Sequence, residues 1–175
     1  MQGEILAKRT PTSKTFELGQ GKLRTDIYFT PIHFEDASGN LHDTALELID
    51  EYQINAGTLL SKATSQAIAK KGRQFSTPND GDYRAVKMPF DARLPKFFAR
   101  GYAISYEGQG LGFIPVGASN VRAVQDGNKL TYANAWPGVD VVLELTATGV
   151  KETIIAKSLL APNRIEFKVK GLEGK

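Results

Sequence analysis

The chain has 175 residues, 41% hydrophobic and 23% charged, which suits a folded globular protein with a self-sufficient core. It has no cysteine, which excludes a disulfide framework, a thiolate nucleophile and cysteine-based zinc or iron–sulfur ligation. The net charge of +3 is scattered, with one small cluster at Lys70, Lys71 and Arg73, so no nucleic-acid partner is expected; nor does any segment approach a membrane span.

Residues 1–20 hold no apolar stretch of signal-peptide length. Residues 22–30, KLRTDIYFT, place Leu23, Thr25, Ile27 and Phe29 on one face and Arg24 and Asp26 on the other, the period of a half-buried strand. In PIHFEDASGNLHDTALELI, the turn residues DASGN separate an extended IHF from the longer LHDTALELI, which reads as a hairpin. Residues 54–72 read either as a short helix, with Leu59, Leu60, Ala63, Ala67 and Ile68 near helical spacing, or as an extended edge segment. The following STPNDGDY is a loop by composition.

From residue 83 the hairpin signals repeat. YRAVKMPF is extended, YAISYE and FIPVG flank the glycine-rich GQGLG, and VRAVQ and KLTYAN flank DGN. NAWPGVDVVLELTATGVKETII then contains a Trp-Pro-Gly corner and two apolar runs, and RIEFKVKG alternates Ile165, Phe167 and Val169 with charges. The expected fold is mainly β: an antiparallel β-sandwich or split barrel of successive hairpins with at most one short helix. Residues 1–175 are expected to form a single β-rich domain, or the N-terminal module of a longer chain.

Register tests the hairpin for chemistry. With Ala147 and Thr148 as a two-residue turn, Glu144 stands opposite Lys151, an ion pair that stabilises by roughly 0.2–1 kcal/mol. The same register puts Glu152 on the apolar face of Val141 and Leu143, where it needs a donor or a bulge at Gly149 that turns it outward. A structural hairpin motif of Trp136, Pro137, Gly138, Asp140, Lys151 and Glu152 is therefore favoured over catalysis. Asp140 and Glu144 are a candidate carboxylate pair for glycoside hydrolysis. His33 and His42, with Asp36 and Asp43 nearby, would bind a divalent metal if they converged; the plainer reading is two polar side chains near a surface turn. DASGNLHDTALE lacks the glycine that an EF-hand calcium loop requires at its sixth position, and GQGLG lacks dinucleotide-loop spacing. Tyr102, Tyr106, Tyr132 and Trp136 would stack on sugar rings if they shared an exposed face. No catalytic residue, cofactor or metal is assigned.

Three stretches in order, AKRTPTSKTFELGQGKLRTDIYFTPIHFEDASGNLHD, GLGFIPVGAS and YANAWPGVDVVLELTATGVKETII, resemble the N-terminal β-rich module of bacterial surface proteins of the RHS-repeat and wall-associated type, and related modules of phage tail or fibre proteins. The resemblance implies a scaffold or adhesion module with no catalytic residues to transfer. Such surface proteins begin with an export signal, whereas here the module starts within a few residues of Met1, so a virion location is expected ahead of an extracellular or cell-surface one. The expected function is a non-enzymatic structural or attachment module that assembles with protein subunits, as a homo-oligomer or within a larger particle. A carbohydrate-binding module that takes a cell-surface glycan is the alternative, and a glycoside hydrolase stands behind it.

Overall fold

The computed structural model describes residues 3–51, 81–159 and 161–173; the segment 54–72 and most of the loop after it lie outside the described residues. In chain order, β1 (Ser13–Gly19) and β2 (Lys22–Ile27) form one two-stranded ribbon, and β3 (His33–Glu35) and β4 (Leu41–Asp43) form another. Then β5 (Leu48–Asp50), β6 (Tyr83–Ala85), β7 (Asp91–Leu94), β8 (Tyr102–Tyr106) and β9 (Gln109–Pro115) lie side by side in a second antiparallel system. Strands β10 (Val124–Asp126), β11 (Lys129–Trp136), β12 (Val139–Thr146) and β13 (Gly149–Ala156) make a four-stranded sheet in that order. The chain returns as β14 (Phe167–Glu173), which joins β9 and brings that second system to six strands. Leu6–Lys8 and Phe98–Arg100 are three-residue 3-10 turns.

The two larger sheets share one apolar core. Tyr83, Ala85, Ala92, Leu94 and Tyr102 come from the six-stranded sheet, and Leu130, Tyr132, Val141, Leu143 and Leu145 from the four-stranded one. Strand β12 alternates buried and half-buried residues without interruption, as a strand with one covered face must. Phe98 enters between the sheets with its ring centroid 4.9 Å from Tyr132 and 5.4 Å from Trp136, and Trp136 meets Phe167 edge-on at 5.9 Å. Among the described residues each sheet keeps its own edges, β10 and β13 on one and β14 and β5 on the other, so the sheets are not closed into a barrel and the architecture is consistent with a β-sandwich.

Three local expectations are revised. KLRTDIYFT does form β2, but its apolar face is not covered: Leu23 is exposed and Ile27 is 79% exposed, because the strand pairs only with β1 in a free-standing ribbon. LHDTALELI is not one strand; β4 ends at Asp43 and β5 starts at Leu48 in a different sheet. The β8–β9 turn is Glu107-Gly108, so Gln109 to Gly112 belong to the strand, where Gly112 pairs with Ala103 and Gly110 with Ser105. A Cβ at Gly110 would meet Ser105 Cβ at 2.7 Å, so that glycine serves close strand contact.

Candidate functional site

The Trp136-Pro137-Gly138 corner closes β11 onto β12: Trp136 pairs with Val139, and Gly138 adopts φ 72°. Proline sets the first turn residue and glycine accepts positive φ at the second, the chemistry of a type II turn. Trp136 is buried and its indole donates to the Val116 carbonyl at 3.0 Å. Upstream, β11 slips register between Tyr132 and Trp136, with Asn134 at φ 53°. Asp140 stabilises this bulge. It pairs with Lys157 at 2.7 Å and accepts the Asn134 amide at 2.7 Å, and the lysine and the amide hold its carboxyl below the usual range.

Strands β12 and β13 pair Thr146 with Gly149, Leu145 with Val150 and Glu144 with Lys151, without a bulge. Lys151 is exposed, and Glu144 lies 3.6 Å from Lys129 of the other neighbouring strand. Glu152 stands opposite Leu143 and faces inward, where Tyr102 of the opposing sheet donates its hydroxyl to the carboxylate. Burial raises the Glu152 pKa against the lowering effect of that hydrogen bond, and Oε1 meets no donor among the described residues. Within the motif, Trp136, Asp140 and Glu152 meet the Val116 carbonyl, Lys157 and Tyr102 respectively.

Asp140 and Glu144 lie four residues apart on continuous β12. At ~3.3 Å per residue their backbone positions are about 13 Å apart, and each carboxylate is held by a lysine, Asp140 by Lys157 at 2.7 Å and Glu144 by Lys129 at 3.6 Å.

The four aromatics do not form an exposed stacking platform. Tyr132 is fully buried and donates to the Pro95 carbonyl at 2.6 Å; Tyr102 is buried and stacks on Phe113 at 5.0 Å; Trp136 is in the core. Strand alternation turns all three into the sandwich, and Tyr106 alone, 54% exposed, faces solvent. The histidines part company too. His33 is buried and its Nδ1 meets the Thr10 carbonyl at 2.6 Å; a carbonyl only accepts, so Nδ1 carries the proton, and Nε2 lies 3.3 Å from Asp43. His42 stacks on Phe34 at 5.5 Å and reaches Asp36 at 2.9 Å. Asp36 is buried and also accepts the Asn40 and Ser38 amides; the His42 contact, with these amides, holds its carboxyl well below the usual carboxylate range. His42 therefore organises Asp36, whereas Asp43 is held by Lys14 at 2.6 Å and Arg9 at 3.5 Å, and among the described residues no three His, Asp or Glu side chains converge as a metal site.

A concave feature among the described residues was not legible as a motif. A pocket of about 400 Å³ lies on the outer face of the six-stranded sheet, between β7–β8 and the β3–β4 hairpin. Alternation makes its floor: Ala92 and Tyr102 point into the core, so Asp91 and Ser105, which are register partners, point outward. Pro11, Pro31, Leu41 and Pro89 form the accessible walls, with the buried Phe34 and Met88 behind them. The charged lining is Glu35, Asp91 and Glu107, with no lysine or arginine. Asp91 is 6% exposed; its Oδ2 accepts from Arg84 at 2.5 Å, while Oδ1 meets no donor among the described residues. Glu107 opens the β8–β9 turn at φ 48°, ahead of Gly108 at φ 80°. Its carboxylate accepts the Tyr106 hydroxyl, which raises the pKa of that phenol.

Fold and site together define an open antiparallel β-sandwich that carries an apolar pocket with an acidic lining on one outer face. No protein-family model matches the chain, and no solved structure matches it. It is 26% identical over 170 residues to a wall-associated protein of Geobacillus stearothermophilus; the match covers 90% of this chain and 58% of that relative's length. This likeness supports a relationship to surface proteins and nothing finer. Among the described residues no helix is long and apolar enough to cross a membrane.

Proposed function

We propose that the chain is a non-enzymatic structural or attachment module of a large cell-surface protein. The observation that carries this reading is the likeness to a wall-associated protein along 90% of the chain. That relative favours the cell surface over the virion among the locations expected from sequence. The exposed surface suits assembly with protein subunits: the β1–β2 ribbon presents uncovered Leu23 and Ile27, and β13 is an eight-residue edge strand with Ile154 and Ile155 exposed. Edge backbone groups and apolar side chains of this kind pair with a neighbouring chain.

The test is mass spectrometry of the native polypeptide across cell-wall, particle and cytosol fractions. Enrichment in the wall fraction is the expected result. Recovery in purified particles at stoichiometric level would restore the virion location, and recovery only as a free cytosolic protein would refute the surface assignment.

A further inference from the structure

We propose that the outer edge of β2 pairs antiparallel with the same edge of a second copy of this chain, about a two-fold axis at Thr25. The proposal rests on the assembly reading above and names its subunit. Strand β2 pairs with β1 on one side, and among the described residues no strand lies against its other side. It is exposed along its length, with only Asp26 half-buried. Register shows which backbone groups face that edge. The Tyr28 amide donates to the Thr12 carbonyl, whereas the Thr15 carbonyl and the Glu17 amide turn away from β2 to Ile5 and Gly3. In an antiparallel pair, residues that exchange hydrogen bonds alternate with residues that point away. Leu23, Thr25 and Ile27, the register partners of Glu17, Thr15 and Ser13, therefore present their N–H and C=O groups outward.

The side chains of the edge select the partner. A two-fold axis perpendicular to the sheet sets each residue opposite one on the same face, and every contact occurs twice. With Thr25 opposite its own copy, Leu23 stands opposite Ile27 and Arg24 opposite Asp26. The outward-facing residues then exchange backbone bonds, and the charged ones fall at the closer, non-bonded positions. Leu23 is 50% and Ile27 79% exposed, so the apolar pairs cover surface that the ribbon leaves bare. Arg24 and Asp26 lie 3.1 Å apart on one face of their strand, and a second such pair running the other way completes a ring of alternating charge. Moving the axis by one residue sets Arg24 against Arg24 or Asp26 against Asp26, which like-charge repulsion disfavours. The β13 edge lacks this complementarity, because Lys151 and Glu152 are chain neighbours on opposite faces and no two-fold axis brings them together.

The experiment is sedimentation velocity of the full 175-residue chain over a range of concentrations, with amide hydrogen exchange at the lowest and highest. A six-residue strand pair is at the small end of interface sizes, so a monomer–dimer equilibrium in the micromolar range or weaker is expected. Exchange is expected to slow with concentration at Leu23, Thr25 and Ile27 and not at Arg24 and Asp26, whose amides already face β1. Arg24→Asp and Asp26→Arg each set like charges opposite one another at two symmetric positions, so each variant alone is expected to dimerise about tenfold more weakly. Mixed in equal amounts, the two variants regain opposite charges at both positions and are expected to associate as tightly as the wild type. The exchange pattern needs no variant, so it decides the matter even where a variant melts early. A wild-type chain that is monomeric at every concentration, protection at β13 in place of β2, or variants that associate like the wild type alone and no better when mixed would each overturn the proposal. A monomer enriched in the wall fraction would remove the self-pairing alone, and a dimer recovered only from cytosol would remove the surface location alone.

Discussion

Tyr102 and Glu152 join the two sheets by a hydrogen bond across the core interface, and removing the donor tests how that bond works. Tyr102→Phe leaves the inward-facing carboxylate without its phenol. An inadequately paired buried group costs ~1–3 kcal/mol; Glu152 is only half-buried, so the lower part of that range, about 1–2 kcal/mol, is expected. For a chain of this length that lowers Tm by roughly 2–8 °C. Tyr102→Phe with Glu152→Leu replaces both polar partners by apolar ones, with the new leucine opposite Leu143, and is expected to return stability to the wild-type level or above. The pH dependence has a definite sign. Burial raises the folded-state pKa of Glu152 above its ordinary 4.5, so the folded form holds that proton more tightly. The destabilisation from the buried charge is full above the folded pKa and disappears as pH falls through it and below 4.5. The deficit of Tyr102→Phe should therefore be largest at pH 7 and shrink in acid. Urea unfolding of the single and double variants at several pH values reads this directly. A Tyr102→Phe deficit that is independent of pH, or a double variant less stable than the single one, would refute the reasoning.

Trp136→Ala should destabilise by ~3–5 kcal/mol, since it removes a buried ring wedged against Phe98 and Phe167, and an unchanged denaturation midpoint would contradict that packing. Gly101→Ala should cost more than about 2 kcal/mol, because φ is 78° and the new Cβ would run into the Phe113 carbonyl and Ile114 Cα. Gly117→Ala has φ 68° but open space around the new Cβ, so only the conformational penalty of about 1 kcal/mol applies. Thermal melts of the two alanine variants side by side would separate backbone strain from collision.

Local pairing was legible where turn chemistry and face alternation agree. The β12–β13 register follows from placing the turn at Ala147-Thr148, and the inward position of Glu152 follows from that register; its partner, Tyr102, lies more than forty residues away in another sheet and leaves no local signal. The β1–β2 ribbon shows the converse. Leu23 and Ile27 alternate as a buried face would, yet nothing among the described residues covers them, because period reports what a strand is able to bury and not whether a second layer arrives. The buried charges were missed for a related reason. In YRA and DARL the charged positions alternate away from the core, the pattern of a solvated outer face, but Arg84 and Asp91 are enclosed and paired with each other.

That enclosed outer face explains why the pocket sits where it does. One side of β8 carries Tyr102 and Ile104 into the sandwich, while the other carries Ser105 to the pocket floor and the strand ends at Tyr106 and Glu107. The β3–β4 hairpin that supplies the opposite wall is organised by contacts of its own, chiefly the amides and imidazole gathered on Asp36. Core residues and pocket-lining residues therefore lie on opposite faces of one sheet, with the floor set by strand register and part of the walls borne on a short hairpin. Substitutions at Tyr106 or Glu107 alter what the pocket meets while leaving the packing between Tyr132, Phe98 and Trp136 untouched.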